Sequence, residues 1–234
     1  MDAPARINWI AQKLVDAYGP QSIPRQDPVE TLVLTILSQN TTDTNRDRAF
    51  CSLIETFGDL DKVAEASMDD IAAAIRHGGL QQQKAKSIRE ALAFVVSERG
   101  RLDLSFLEEL PVDAAMQWLL ALQGVGPKTA SIVLLFCFDR PTFPVDTHIR
   151  RVMRRMGLLN GHGDPHPRLN ALLPADPVLM QQLHLLTIRL GREVCHPRNP
   201  CCQRCPLRPQ CSWTHGVHTA DRVTSAHKRE DSMQ

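Results

Sequence analysis

Between Leu122 and His148 the chain reads LQGVGPKTASIVLLFCFDRPTFPVDTH. Gly124 and Gly126 bracket Val125 and lead through Pro127 to Lys128, at the head of an apolar run. Asp146 stands where a further helix would begin near Thr147. Backbone amides of a glycine hairpin at a helix N-terminus can hold a phosphate, and glycine permits the tight turn and close approach this needs. Pro127 suits a first helical turn, where its missing N–H costs little. A cation is disfavoured at that helix terminus, which favours the neutral, nucleophilic amine of Lys128. Asp146 could stabilise positive charge developing on a sugar, or accept the lysine's proton, while also capping its helix. Phosphate hairpin, amine and carboxylate together point to chemistry on a nucleic-acid backbone. The plainer alternative for Lys128 is a solvated lysine that contacts phosphate.

A second group is metal-like. Of seven cysteines, five fall between Cys195 and Cys211, and Cys195, Cys202, Cys205 and Cys211 form C-x6-C-x2-C-x5-C with Cys201 alongside. Four thiols on a short loop, in a chain with no sign of an oxidising compartment, read as metal ligands before disulfides. Tetrahedral zinc commonly uses paired C-x2-C knuckles, and only one such pair is present. A [4Fe–4S] cube wants thiolates around a wider object, which suits mixed spacings. Spacing favours iron–sulfur and leaves zinc open. The same loop carries Arg198, whose forked guanidinium could meet a phosphate. Cys51 and Cys137 lie on apolar helix faces and read as core.

The elements that must position these groups are helical. Across 234 residues, 43% are hydrophobic and 23% charged, ordinary values for a soluble globular protein. No apolar run approaches the length of a membrane span, and MDAPARINWI lacks signal-peptide architecture. A soluble, intracellular, DNA-associated protein is expected, cytoplasmic in a bacterium. Net charge is only +1, but Arg140, Arg150, Arg151, Arg154, Arg155 and Arg168 cluster. Acids gather instead at Glu55, Asp59, Asp61, Glu65, Asp69 and Asp70, so one basic face could meet a polyanion.

Apolar periodicity predicts helices over 6–18, 28–38, 44–57, 60–66, 68–76, 82–97, 105–109, 113–120, 145–156 and 177–193. The second is apolar nearly all round, as a domain centre would be. Residues 160–167 read as a Gly/Pro/His-rich loop, and 216–234 as a disordered tail. No period-2 alternation of useful length occurs, so the fold class is all-α.

LQGVGPKTA, VDTHIRR and the four-cysteine spacing together resemble the endonuclease III family of DNA glycosylases, in the helix-hairpin-helix superfamily, over about Asp27 to Cys211. The resemblance implies two helical domains with a DNA cleft between them: a six-helix barrel over 29–140, and a cluster domain from 1–28 and 141–215. It implies a [4Fe–4S] cluster on Cys195, Cys202, Cys205 and Cys211, with Lys128 and Asp146 catalytic. The activity implied is that of a bifunctional enzyme of base excision repair. It would remove oxidised pyrimidines and cleave the abasic site through a lysine Schiff base. A mismatch or alkylated-base glycosylase of the same fold, or a non-catalytic abasic-DNA binder, are the alternatives.

The expected partner is duplex DNA with a damaged base or abasic site, bound by a monomer. Gln39, Asn40, Leu80 and Gln81 resemble the family's intercalating loops, with Leu80 as the apolar wedge, and Gly124, Val125, Gly126 and Arg198 would also face DNA. Asn40 stands where the family has glutamine, with Gln39 beside it, and Gln123 where it usually has proline.

Overall fold

The computed structural model describes residues 2–22 and 24–214, so the tail expected to be disordered lies outside the described residues. Among these the regular structure is helical, without strands, and no helix is long and apolar enough to cross a membrane. The chain forms two compact units. A continuous unit takes residues 22–144 with 175–181, and a split unit joins 2–21 to 145–174 and 182–214.

The continuous unit is built on α2 (Pro28–Leu37). Asp27 caps it by accepting from the Val29 and Glu30 N–H groups, with Pro28 at the first position. Seven of its ten residues are buried, as its all-round apolar pattern requires. It packs against α3 (Asp43–Phe57), α6 (Gln81–Arg99) and α8 (Pro127–Phe138). The shorter α4 (Leu60–Glu65) and α5 (Met68–Ala74) begin at Asp59 and Ser67, whose side chains accept from Lys62 N and Asp70 N. Both pack on α6, and α7 (Val112–Leu120) packs on α8. Leu32, Ile36, Leu53, Ile71, Ile88 and Leu92 are fully buried within one cluster, each worth about 1.5–3 kcal/mol of transfer from water. The helix expected over 68–76 stops at Ala74 and tightens into a 3-10 turn, Arg76–Gly78.

In the split unit α1 (Ala3–Tyr18) buries Ile7, Ile10, Ala11 and Leu14. It is followed by α9 (Thr147–Arg155) and α10 (Pro165–Leu172). The last helix, α11 (Pro177–Glu193), starts in the continuous unit and carries on into the split one. The loop expected over 160–167 is cut short by α10. Asp164 accepts from His166 N–H as N-cap and Pro165 occupies the first turn, so a proline counted toward the loop is a helix starter. A Cβ on Gly191 of α11 would lie 2.8 Å from His148 Cβ of α9, so glycine there permits the close approach of these helices.

Candidate functional site

The hairpin is held from below and closed from within. Val125 donates its N–H to Leu122 O at 3.1 Å and is only 7% exposed. It therefore anchors the turn, and the outward-facing backbone belongs to the glycines. Gly124 has φ 78, and a Cβ there would lie 2.5 Å from Ser87 Oγ on α6. Conformation and contact both demand glycine. Gly126 is the extended N-cap of α8 and has no side chain with which to cap it. Lys128 is the second residue of that helix and half-buried.

The two polar breaks stand in the same unit. Gln39 donates its amide to Gly124 O at 3.1 Å, so the side chain expected to face DNA braces the hairpin in this structure. Asn40 is exposed with φ 53, and Leu80 is 51% exposed with φ 49. A left-handed residue costs roughly 1–2 kcal/mol, less for asparagine than for leucine. Leu80 is the N-cap of α6 and supplies no capping bond; Gln81, exposed, opens that helix. Beneath these loops lies Lys84, a buried lysine absent from the sequence-derived site. Burial lowers its basicity, and its Nζ donates to Leu37 O and Gly78 O at 2.7 Å each.

Asp146 belongs to the split unit and Lys128 to the continuous one. Asp146 Oδ1 accepts from Ile149 N–H at 2.7 Å as N-cap of α9, which leaves Oδ2 for a second role. The preceding Val145 N–H donates to His166 Nε2 at 3.1 Å, and His166 Nδ1 lies 2.6 Å from Asp164 Oδ1. His166 therefore fixes the approach to Asp146, which the sequence reading missed by treating 160–167 as loop. His148 Nδ1 meets Arg151 Nη2 at 3.0 Å. Its basicity is lowered by burial, then by Arg151 and Arg192, against an opposing pull from Asp146.

The four expected cysteines, Cys195, Cys202, Cys205 and Cys211, line one hollow, together with Val194, Arg155 and Trp213. Cys201 is exposed and does not line it. Burial, reinforced by Cys195, Cys211 and Cys202, pushes the Cys205 thiol up to about 11, so any metal there must displace a tightly held proton. Among the described residues no group of three or more His, Cys, Asp or Glu is placed to hold a single metal ion. Arg198 is exposed on the loop, beside Asn199 at φ 50.

Arg155 organises this loop. It is 8% exposed and donates to Cys195 Sγ at 3.1 Å, His196 O at 2.8 Å and Pro197 O at 3.1 Å. Its guanidinium stacks on Trp213, and its own carbonyl accepts from Trp213 N–H at 3.1 Å. The arginines read as a basic face are largely engaged internally. Arg151 donates to Gly191 O and Cys195 O, Arg150 to His162 O, Arg154 to Gly161 O, and Arg168 to Leu158 O.

Known proteins resemble this chain in sequence and in fold. The family described as "HhH-GPD superfamily base excision DNA repair protein" matches residues 33–173. Endonuclease III of Sulfolobus acidocaldarius is 38% identical over 188 residues, 78% of this chain and 81% of the relative. Endonuclease III of Thermotoga maritima is 33% identical over 209 residues, 88% and 92% of the two chains. A trapped covalent endonuclease III–DNA intermediate superposes with a TM-score of 0.76 at 24% identity, covering 92% of this chain and 98% of that one. A thermostable thymine-DNA glycosylase gives 0.72 at 22% identity, over 91% and 96%. At these identities the two structures speak for a shared fold.

Proposed function

The chain belongs to the HhH-GPD superfamily of base excision DNA repair proteins and is a DNA glycosylase/lyase, and from that premise we propose that it removes oxidised pyrimidines and cleaves the resulting abasic site by β-elimination through Lys128. The observation that carries this reading is Lys128 in the first turn of α8, immediately behind the Gly124–Gly126 hairpin that rests on Ser87.

A stacked nucleotide hides C1′, so it must leave the duplex before reaction. Leu80 fills the vacated space while Asn40 and Gln81 line the rim and Gln39 braces the hairpin. The glycine hairpin and the α8 N-terminus hold a phosphate beside the lesion. Lys128 Nζ then attacks C1′ as the bond to the base breaks; the electron pair leaves with the base, which takes up a proton. Ring opening gives a Schiff base. Loss of a 2′ proton expels the 3′ phosphate with the electron pair of the C3′–O bond, and water later hydrolyses the imine to free the lysine. Asp146 accepts the lysine's proton or stabilises positive charge on the sugar.

The reading extends to domain roles. The continuous unit is the helical barrel, and the split unit carries the metal centre. Cys195, Cys202, Cys205 and Cys211 are the ligands we assign to a [4Fe–4S] cluster, supported by the single hollow they border and by their mixed spacing. Bound there, such a cluster supplies iron–thiolate cross-links that tie the loop to the end of α11. Arg198 on that loop would then meet a phosphate of duplex DNA, bound by a monomer.

Borohydride reduction in the presence of duplex containing an oxidised pyrimidine should trap a covalent protein–DNA adduct. Lys128→Ala should reduce trapping to background, and trapping that persists sinks the lysine assignment. Base release without strand nicking would move the protein to mismatch or alkylated-base repair. Tight binding to an abasic analogue, with no release from any lesion, would leave a non-catalytic binder.

A further inference from the structure

Lys84 is a buried cation that the reaction above does not use. It is 2% exposed, among the described residues no carboxylate pairs with it, and burial lowers its basicity. It also stands near the start of α6, where the helix field disfavours a cation. A buried ammonium in such a place needs strong acceptors, and it has two. One is Leu37 O, at the end of α2; the other is Gly78 O, at the end of the 3-10 turn.

Those two carbonyls are the roots of the two loops proposed to enter DNA. Beyond Leu37 the chain runs through Ser38 to Gln39 and Asn40, and beyond Gly78 through Gly79 to Leu80. Each loop carries a non-glycine residue in left-handed backbone, Asn40 and Leu80. Leu80 is among only three large hydrophobics exposed in the described residues. Strain of this kind persists only where the surroundings over-determine it, and Lys84 is what joins the surroundings of both.

We propose that Lys84 is a positioning residue for nucleotide extrusion, one ammonium fixing the spacing of both loop roots so that Leu80 is held erect before DNA arrives. This rests on the reading of Leu80 as a wedge. Preorganisation of this sort acts on the step in which the nucleotide leaves the stack and not on bond breaking at C1′. Its signature is therefore a dependence on whether the lesion is paired.

Single-turnover base release is to be measured from two duplexes, one with the oxidised pyrimidine opposite its normal partner and one with it opposite an abasic spacer. Lys84→Met should slow release from the paired lesion tenfold or more and from the unpaired one less than threefold. Leu80→Ala should show the same selectivity. The double variant should be no more than two- to threefold worse than Leu80→Ala alone, because both remove one device. Lys84→Gln, which can still donate to one carbonyl, should fall between wild type and methionine, and serves if the methionine variant does not fold. Equal slowing on both duplexes, or penalties that multiply in the double variant, would overturn the proposal and leave Lys84 a scaffold residue. If Leu80→Ala changes neither rate, the wedge reading fails and this inference with it. If wild type releases no base from either duplex, the fault lies in the proposed activity.

Discussion

Two regions of this molecule use a buried cation in the same way and differ in what surrounds it. Lys84 gathers two carbonyls from the loops around Asn40 and Leu80, and those loops grow out of α2, α3 and α6, above a continuous apolar cluster. Arg155 gathers two carbonyls and a thiol from the cysteine loop, which has only short 3-10 turns, Cys202–Arg204 and Arg208–Gln210, with no buried residues in them. A compact ammonium suffices where a core already fixes the neighbours. A planar fork serves where several carbonyls must be arranged at once. The difference teaches that the first region is stable by packing, and the second depends on point attachments and on whatever its thiols bind.

The comparison can be broken most sharply at the cysteine loop. Removing the iron of the proposed cluster with a chelator, or substituting Cys202→Ser, should raise amide hydrogen exchange across 195–214 by a hundredfold or more. Residues 76–88 should change by only a few-fold, and equal loosening would erase the distinction. Next in size, Arg155→Met should lower the stability of the protein by about 3 kcal/mol, since it removes several hydrogen bonds from a charged donor that are not additive. Arg155→Lys should recover less than half, read from denaturant midpoints.

On the packed side, Gly124→Ala should cost about 2 kcal/mol and weaken binding to abasic-analogue duplex, because the left-handed φ and the contact with Ser87 both oppose a Cβ. Ser87→Ala should not rescue it, since Ser87 Cβ itself would lie 2.6 Å away. Ser87→Gly should relieve the contact and leave the backbone penalty. The smallest effect concerns pH. His148 is harder to protonate folded than unfolded, so the unfolded chain takes up the proton first as pH falls. Stability should be level above about 6.5 and decline as pH drops through it; His148→Gln should flatten that slope in thermal melts.

The helices, the hairpin and the cysteine loop were legible because each has a local signal, in periodicity, glycine spacing or ligand spacing. The anchors were not, because a polar residue announces burial only by its place on an apolar face. Lys84 and Ser87 do lie on the stripe continued by Ile88, Ala91, Leu92 and Val95. Extending that stripe backward through QQQKAKS would have found them. Arg155 shares a face with Val152 and Ile149 in the same way, yet a run of arginines reads first as a solvated surface. Gln39 was assigned outward because its loop is polar, and nothing local indicates a partner 85 residues along the chain. The Gly, Pro and His content of 160–167 hid the start of α10 at Pro165.

The interleaved order of the two units has a consequence for synthesis. Residues 22–144 hold nearly all of the continuous unit, whereas the split unit needs 2–21 together with 145 onward. On the ribosome, α2 through α8 emerge together and can collapse on their own apolar cluster while α1 waits for α9 to α11. Closing so long a gap is entropically costly and falls late in translation. Cys211 emerges later still, so the hollow bordered by the four cysteines is the last feature to be completed. A chain interrupted within its cysteine loop would already carry the hairpin, Lys128 and Leu80. Under the proposed cluster assignment, a shortage of iron would leave a chain whose hairpin unit is assembled and whose cysteine loop is not.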